Sequence, residues 1–332
     1  MNKRQNIGGW INWLLKLIKS SYVILIFSIN SDYSTSSVIS WLIRLKKPFI
    51  RINEDTILEL LWLTSSDFAI AINGETVLSS QITKMWYRRG GLDLFAKFKN
   101  VLIKDYLRTE HTALIEYFYH RLDKIPSVNR FKNSDINKLY LMDLCQQYGV
   151  LAPKYLVTGC KNTVAEFFEQ EKRIISKPIS TPFSLQDEED FSHMAYTLMV
   201  NREDIDALPN QFVPTFFQQA IPKAYEIRVF YLNGKFYAMA IFSQNNSNTN
   251  VDFRNYDRDK PNRVAPYSLE KTYEKKLKKM LDAYGLNCAS FDVIYSGDDA
   301  EYYFLDLNPV GQFGMVSSPC NYNLEKEIAL AL

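Results

Sequence analysis

Residues 289–309 constrain the fold more than any other stretch. ASFDVIY and YYFLDLNP are rich in β-branched and aromatic residues and are separated by Ser296, Gly297, Asp298 and Asp299, so they are expected to pair as a hairpin. Asp292 and Asp306 lie symmetrically about Asp299, and in an antiparallel ladder without a bulge they stand opposite each other on one face. Asn308 shares that face through the two-residue alternation of a strand. Directly opposed carboxylates repel and are avoided in a purely structural sheet. A cation reconciles them, and two carboxylates with a carboxamide suit Mg²⁺ bridging phosphate oxygens, not zinc or copper. Three polar residues facing solvent on an edge hairpin is the competing explanation, and spacing alone weighs the two equally.

A magnesium cluster implies a nucleotide, yet the chain has no GxxxxGK[ST] and no strand-linked GxGxxG, which disfavours the P-loop and dinucleotide-binding folds. Isolated lysines remain: Lys138 on a helix, and Lys177 at the end of RIISKP. A lysine is a compact charge suited to phosphate oxygens, although each alone reads better as an ordinary surface lysine. The four cysteines form no CxxC pair and the three histidines lack HExxH spacing, so neither a zinc centre nor a disulfide framework is indicated, and reduced thiols fit a cytoplasmic protein. A net charge of +2 gives no field that would argue for nucleic acid.

A length of 332 residues suggests two or three domains. Residues 1–20 form a basic amphipathic extension in which Lys16 and Lys19 interrupt the apolar run, unlike a secretion signal. They are expected to pack as a helix on their own domain or to form an unstructured appendage, with docking on a membrane surface the lesser alternative. From Tyr22, the segments YVILIFSIN, VISWLIRL and PFIRIN suggest strand, helix and parallel strand. Asn73-Gly74 and Asn233-Gly234 mark two hairpin turns. Helices are expected over residues 92–121, after an N-cap at Ser134, over 164–171, and over 269–284 with Glu274 and Lys278 paired. The polar span 244–263 is expected to loop over a site.

The order of these parts carries a resemblance. NKLYLMDLCQQYGVLAPKYLVT, RIISKP, FFQQAIPKAYEIRVFYLNGKFYA, VDFRNY, FDVIY and YFLDLNPVGQF resemble the successive ATP-binding elements of the ATP-grasp superfamily, over residues 137–313. The ribosomal-protein glutamate ligase branch is similar over the same span. With WYRR at 86–89 and GQFGMVSSPCNYNLEKEIA near the C-terminus, the chain most resembles the graspetide-forming ribosomal-peptide maturases of the grasp-with-spasm type. The resemblance implies α/β and α+β architecture: a three-domain ATP-grasp fold with ATP between the central and C-terminal domains. After the extension at 1–20, the N-terminal α/β domain would span 21–130, the central lid 131–215 and the catalytic domain 216–332.

By the same resemblance, Lys138 and Lys177 reach the ATP phosphates, and the backbone of Gln218, Gln219, Ala220 and Ile221 forms the hinge that pairs with adenine. Glu226 contacts the ribose, and Arg228, Arg254 and Arg263 line the phosphate side. Asp292, Asp306 and Asn308 ligate the metal, with Asp306 where many relatives have glutamate. The implied activity phosphorylates Asp or Glu side chains of a ribosomally made precursor peptide, leader and core, and closes ester or amide crosslinks to Ser, Thr or Lys. ATP and Mg²⁺ are the implied cofactors, nucleic acid is not a partner, and a homodimer is allowed. Glutamate ligation to a protein tail and an inactive binding module are the alternatives. Two further expectations concern charge: adjacent Arg88 and Arg89 should point to opposite faces of a strand, so that at most one enters the cleft, with inter-domain salt bridging the favoured role, whereas Lys235, Arg258 and Lys260 could meet acidic residues of the peptide.

Overall fold

The computed structural model of the chain describes residues 22–94, 101–180, 184–186, 192–194, 197–243 and 262–332. The chain divides into two units. One comprises Met1–Ser134, Gln312–Ser317 and Asn323–Leu332; the other comprises Asp135–Gly311 and Ser318–Tyr322.

The first unit begins with β1 (Val23–Phe27), whose five residues are all buried, as a central parallel strand requires. Asp32 then caps helix α1 (Tyr33–Arg44), its Oδ1 accepting from the Ser34 and Thr35 amides. Strand β2 (Phe49–Ile52) follows, and β3 (Leu58–Leu63), β4 (Phe68–Ile72) and β5 (Glu75–Leu78) make a separate antiparallel sheet. Asn73 and Gly74 have φ of 51° and 84°, the two positive values of a type I′ hairpin turn, and Ile72 pairs with Glu75 across it. Strand β6 (Ile82–Tyr87) leads to helix α2 (Val101–Leu122) and β7 (Ser127–Val128). The helix begins later than expected, residues 91–94 being irregular. Its Arg121 donates to the carbonyls of Thr64 and Ser66 and so fixes the β3–β4 turn. The parallel strands take the order β2–β1–β6–β7.

In the second unit, helix α3 (Lys138–Gln147) is capped by Asn137, whose Oδ1 accepts from the Leu139 and Tyr140 amides at 3.0 and 3.2 Å. The expected cap, Ser134, instead bonds back to the Phe131 carbonyl at 2.6 Å; it stands too far ahead of the first helical turn to cap it. The chain continues through β8 (Tyr155–Cys160), helix α4 (Lys161–Glu171), β9 (Ile174–Ser176), β10 (Ser184–Gln186), β11 (Ser192–Met194), β12 (Leu198–Val200), helix α5 (Arg202–Ala207) and β13 (Gln211–Gln219). Strands β12–β9–β13–β8 form one antiparallel sheet and β10–β11 a small second one. Val164, Ile174, Ile205 and Phe217 bury a core between the larger sheet and its helices.

The largest sheet is antiparallel, ordered β16–β15–β14–β17–β18, from β14 (Lys223–Leu232), β15 (Lys235–Phe242), β16 (Arg263–Tyr267), β17 (Cys288–Ser296) and β18 (Tyr302–Asn308). Asn233 and Gly234 form the second positive-φ turn, with Leu232 opposite Lys235. Helix α6 (Lys271–Tyr284) buries Tyr273, Leu277, Met280 and Leu281 in one core with Ile227, Val229, Phe291 and Phe304. Each fully buried aliphatic or aromatic side chain contributes about 1.5–3 kcal/mol. The expected Glu274–Lys278 pair is replaced, because Glu274 takes Lys271 at 2.7 Å and Lys278 takes Asp282 at 2.5 Å. Both choices are equivalent solvated pairs of small worth.

Two short C-terminal helices, α7 (Gly314–Ser317) and α8 (Leu324–Ala331), return to the first unit, where α8 packs on α1. Lys47 holds the α8 end through the Ala329 and Leu330 carbonyls at 3.0 and 3.2 Å. Among the described residues, no helix is long and apolar enough to cross a membrane.

Candidate functional site

Asp292 and Asp306 are direct partners across β17 and β18, with Ser290 opposite Asn308. The expected opposition is present but reached differently. Beside the turn, Val293 pairs with Phe304, one residue out of step, and an extra residue, Leu305, restores the register. This is a β-bulge, and it leaves the Leu305 carbonyl to accept from Lys177 Nζ at 3.2 Å. Gly311 sits against the same strand pair so closely that a Cβ there would come within 2.5 Å of Ser290 Cβ. Only glycine allows that approach.

Three basic side chains gather on this strand pair. Arg228 of β14 lies opposite Asp292, and its Nη1 donates to both carboxylate oxygens at 2.8 Å. Its Nε is buried without a hydrogen-bond partner among the described residues. Lys138, at the first turn of α3, lies 3.6 Å from Asp306 Oδ2 and donates to the Pro178 and Ser180 carbonyls at 3.0 and 3.4 Å. Lys177 stands over the Phe216 ring at 5.7 Å. Thus Lys138, Lys177, Arg228, Asp292 and Asp306 come together although the sequence scatters them.

The donor set fits a hard divalent cation. Among the described residues no three His, Cys, Asp or Glu side chains form a metal cluster, so the protein would supply two carboxylates and the Asn308 amide. Asn308 is exposed, and its Oδ1 accepts from the Val310 amide at 3.0 Å, leaving one lone pair. Such a sparse all-oxygen set suits Mg²⁺, which retains waters and phosphate oxygens in its shell.

Of the four residues expected to form a hinge, Gln219 N–H donates to Lys154 O at 2.8 Å and Ala220 N–H to Arg173 O at 2.9 Å. Those two donors are therefore spent within the fold, whereas the Ile221 amide has no hydrogen-bond partner among the described residues. The Gln218 side chain is fully buried, and among the described residues neither amide atom is hydrogen-bonded, a costly arrangement that a bound polar group would relieve. Glu226 is buried, holding Lys223 at 2.7 Å and Ser243 Oγ at 3.0 Å. Burial raises its carboxyl above the ordinary range, against the opposing pull of Lys223. Lys223 reaches the face of Glu226 because β14 bulges between Lys223 and Tyr225; regular alternation along a strand conceals such a contact. Arg263 is exposed on edge strand β16 and stacks over Phe242 at 5.4 Å. Arg254, Arg258 and Lys260 lie outside the described residues.

The arginines of WYRR depart from expectation. Arg88 and Arg89 amides both donate to the Phe27 carbonyl, at 2.9 and 3.2 Å, so alternation ends at Tyr87 and both side chains turn to one carboxylate. Arg88 Nε lies 3.1 Å and Arg89 Nε 3.6 Å from Asp32 Oδ2. These ion pairs lie within the first unit, where Gln312 and Phe313 also meet Arg88, at 3.5 Å and across a ring at 5.3 Å.

No protein-family model and no curated protein matches the sequence. Solved structures do. Macrocyclase MdnC bound with precursor peptide MdnA, from Microcystis aeruginosa MRC, is 24% identical, with 92% of this chain and 97% of that one covered at a TM-score of 0.76. A Chryseobacterium gregarium RiPP-associated ATP-grasp ligase in complex with ADP and a leader and core peptide is 20% identical, covering 93% and 94% at 0.77. The ATP-grasp ligase PsnB complexed with minimal precursor, Mg and ADP is 16% identical, covering 93% and 96% at 0.70. The chain has the fold of these ATP-grasp ligases.

Proposed function

We propose that the chain is an ATP- and Mg²⁺-dependent carboxylate ligase that acts on a ribosomally made precursor peptide. The observation that carries this reading is the convergence on one strand pair of the opposed Asp292 and Asp306 with Lys138, Lys177 and Arg228. Structural neighbours whose crystals hold precursor peptides, ADP and Mg support it. In this reading the nucleotide lies between a central lid, residues 131–215, and a catalytic part, residues 216–332.

The chemistry assigned is activation of an Asp or Glu side chain. Its carboxylate oxygen displaces ADP from the γ-phosphorus of ATP to give an acyl phosphate. A Ser or Thr hydroxyl, or a Lys amine, then attacks the acyl carbon, phosphate leaves, and the nucleophile's proton is released. Asp292, Asp306 and Asn308 would hold Mg²⁺, which supplies charge screening at phosphate oxygens when bound. Lys138 and Lys177 hold phosphate as point charges, and the Arg228 guanidinium, already planar beside Asp292, stabilises negative charge that grows during transfer. The Ile221 amide and the Gln218 side chain orient the base, and Glu226 the ribose.

The test is intact-mass analysis of the cognate precursor peptide after incubation with the chain, ATP and Mg²⁺. Loss of one water per crosslink is expected. Gain of one amino-acid mass per step would mark glutamate ligation instead, and an unchanged mass would reject the maturase reading.

A further inference from the structure

In an open parallel sheet, ligands bind beyond the carboxyl ends of the strands where the strand order reverses. The first unit has such a point. From β1 the chain crosses to β2 on one side, whereas β6 lies on the other side of β1, so the reversal falls between β1 and β6. Asp32 follows the carboxyl end of β1, and Arg88 and Arg89 follow that of β6.

The local construction separates the roles of the two arginines. Arg88 is 2% exposed and serves the interior, bonding Asp32 and lying over Phe313. The Arg89 side chain is 36% exposed, and its Nε lies 3.6 Å from Asp32 Oδ2. Asp32 is already occupied: Oδ1 accepts two amides of α1 and Oδ2 accepts Arg88. It therefore orients Arg89 without using up its terminal nitrogens, for which no described residue is a partner. The segment bearing Arg89 is held firmly, since Tyr87 Oη donates to Gly90 O at 2.6 Å. A Cβ on Gly90, whose φ is 80°, would lie 2.8 Å from Ser28 O. Two arginines against one aspartate leave a net positive charge, and a guanidinium edge held from its Nε side presents two parallel N–H donors, the geometry that matches a carboxylate.

We propose that Arg89 is a carboxylate-recognition point at the β1–β6 switch, binding an Asp or Glu side chain of the peptide substrate, with Asp32 as its positioning residue. The identity of the ligand as a peptide rests on the ligase reading above; the recognition of a carboxylate rests on the first unit alone. Ser34 and Gln312, joined at 2.8 Å, give the site a polar rim, and Tyr33, 84% exposed, offers a ring beside it in sequence.

The test uses the full chain, the precursor peptide, and the same peptide with its Asp and Glu residues replaced by Asn and Gln. Equilibrium binding is measured for wild type, Arg89→Gln and Arg89→Lys. Wild type should prefer the acidic peptide, and Arg89→Gln should lose on the order of tenfold to a hundredfold in affinity for it. Arg89→Lys should recover part of that loss, and the amide peptide should be bound alike by all three. ATP affinity should not change. Equal binding of the acidic peptide by wild type and Arg89→Gln overturns the proposal, as does an equal loss for both peptides or no preference in wild type. If the preference depends on Arg89 yet wild type never removes water from the peptide, the ligase reading fails and the carboxylate site stands. If wild type removes water and Arg89→Gln does so equally well with unchanged peptide affinity, the carboxylate site fails and the ligase reading stands.

Discussion

Asp306 stands opposite Asp292 although the turn joining their strands runs one residue out of step with that pairing. The inserted Leu305 that corrects the register also turns its carbonyl to Lys177 at 3.2 Å. One irregularity thus sets both the carboxylate pair and the place of the Lys177 ammonium. Asp306→Asn removes a charge at nearly constant volume, and ATP turnover should fall by at least the roughly 10–100-fold that perturbing a metal's outer shell costs. Circular dichroism and the unfolding midpoint should be close to wild type. Retained turnover at saturating Mg²⁺ would take Asp306 out of the site.

Lys177→Ala should weaken ATP binding by about tenfold to a hundredfold, the worth of one charged hydrogen bond, measured by calorimetry. Lys177→Arg should not rescue it fully, because a guanidinium is larger and directional where an ammonium is compact. A wild-type dissociation constant in Lys177→Ala would reduce this residue to an anchor for the bulge.

Asp32→Asn keeps the α1 cap, since asparagine caps as well as aspartate, but leaves Arg88, 2% exposed, without its carboxylate. Breaking a buried pair from one side costs about 3–5 kcal/mol. Denaturant unfolding should show that loss, and Asp32→Asn combined with Arg88→Met should recover part of it. An unchanged midpoint in the single variant would mean that the pair adds nothing.

The cysteines should differ in reactivity. At the start of α4, the Thr163 amide and hydroxyl and the Asn162 amide hold the Cys160 thiol below the ordinary range, whereas burial pushes Cys145 up to about 12 and raises Cys320. The thiolate is the nucleophile, so a lowered value brings reaction at lower pH. In native protein near neutral pH, iodoacetamide should label Cys160 at least about tenfold faster than either. Peptide mapping over a pH series gives the rates; equal rates for Cys160 and Cys145 would contradict the assignment.

Much of the site was legible because strand alternation and turn chemistry are local. Asn73-Gly74 and Asn233-Gly234 turn where expected, and Asp292, Asp306 and Asn308 share a face. What escaped was non-alternating backbone. The bulge in β14 carries Lys223 to Glu226, and the shared Phe27 acceptor carries Arg88 and Arg89 to Asp32. A bulge has no composition of its own, since it is set by how neighbouring strands end. The choice of Asn137 over Ser134 as cap, and of Asp282 over Glu274 for Lys278, shows the same limit: several local solutions of similar energy exist, and tertiary packing selects among them.

The central claim is that a peptide carboxylate is activated, and hydroxylamine trapping tests it most directly. Wild type with ATP, Mg²⁺, precursor peptide and hydroxylamine should convert Asp or Glu side chains to hydroxamates, with ADP released in step, and Asp306→Asn should yield neither. ADP release without hydroxamate, or phosphate found on Ser or Thr of the peptide, would contradict the account.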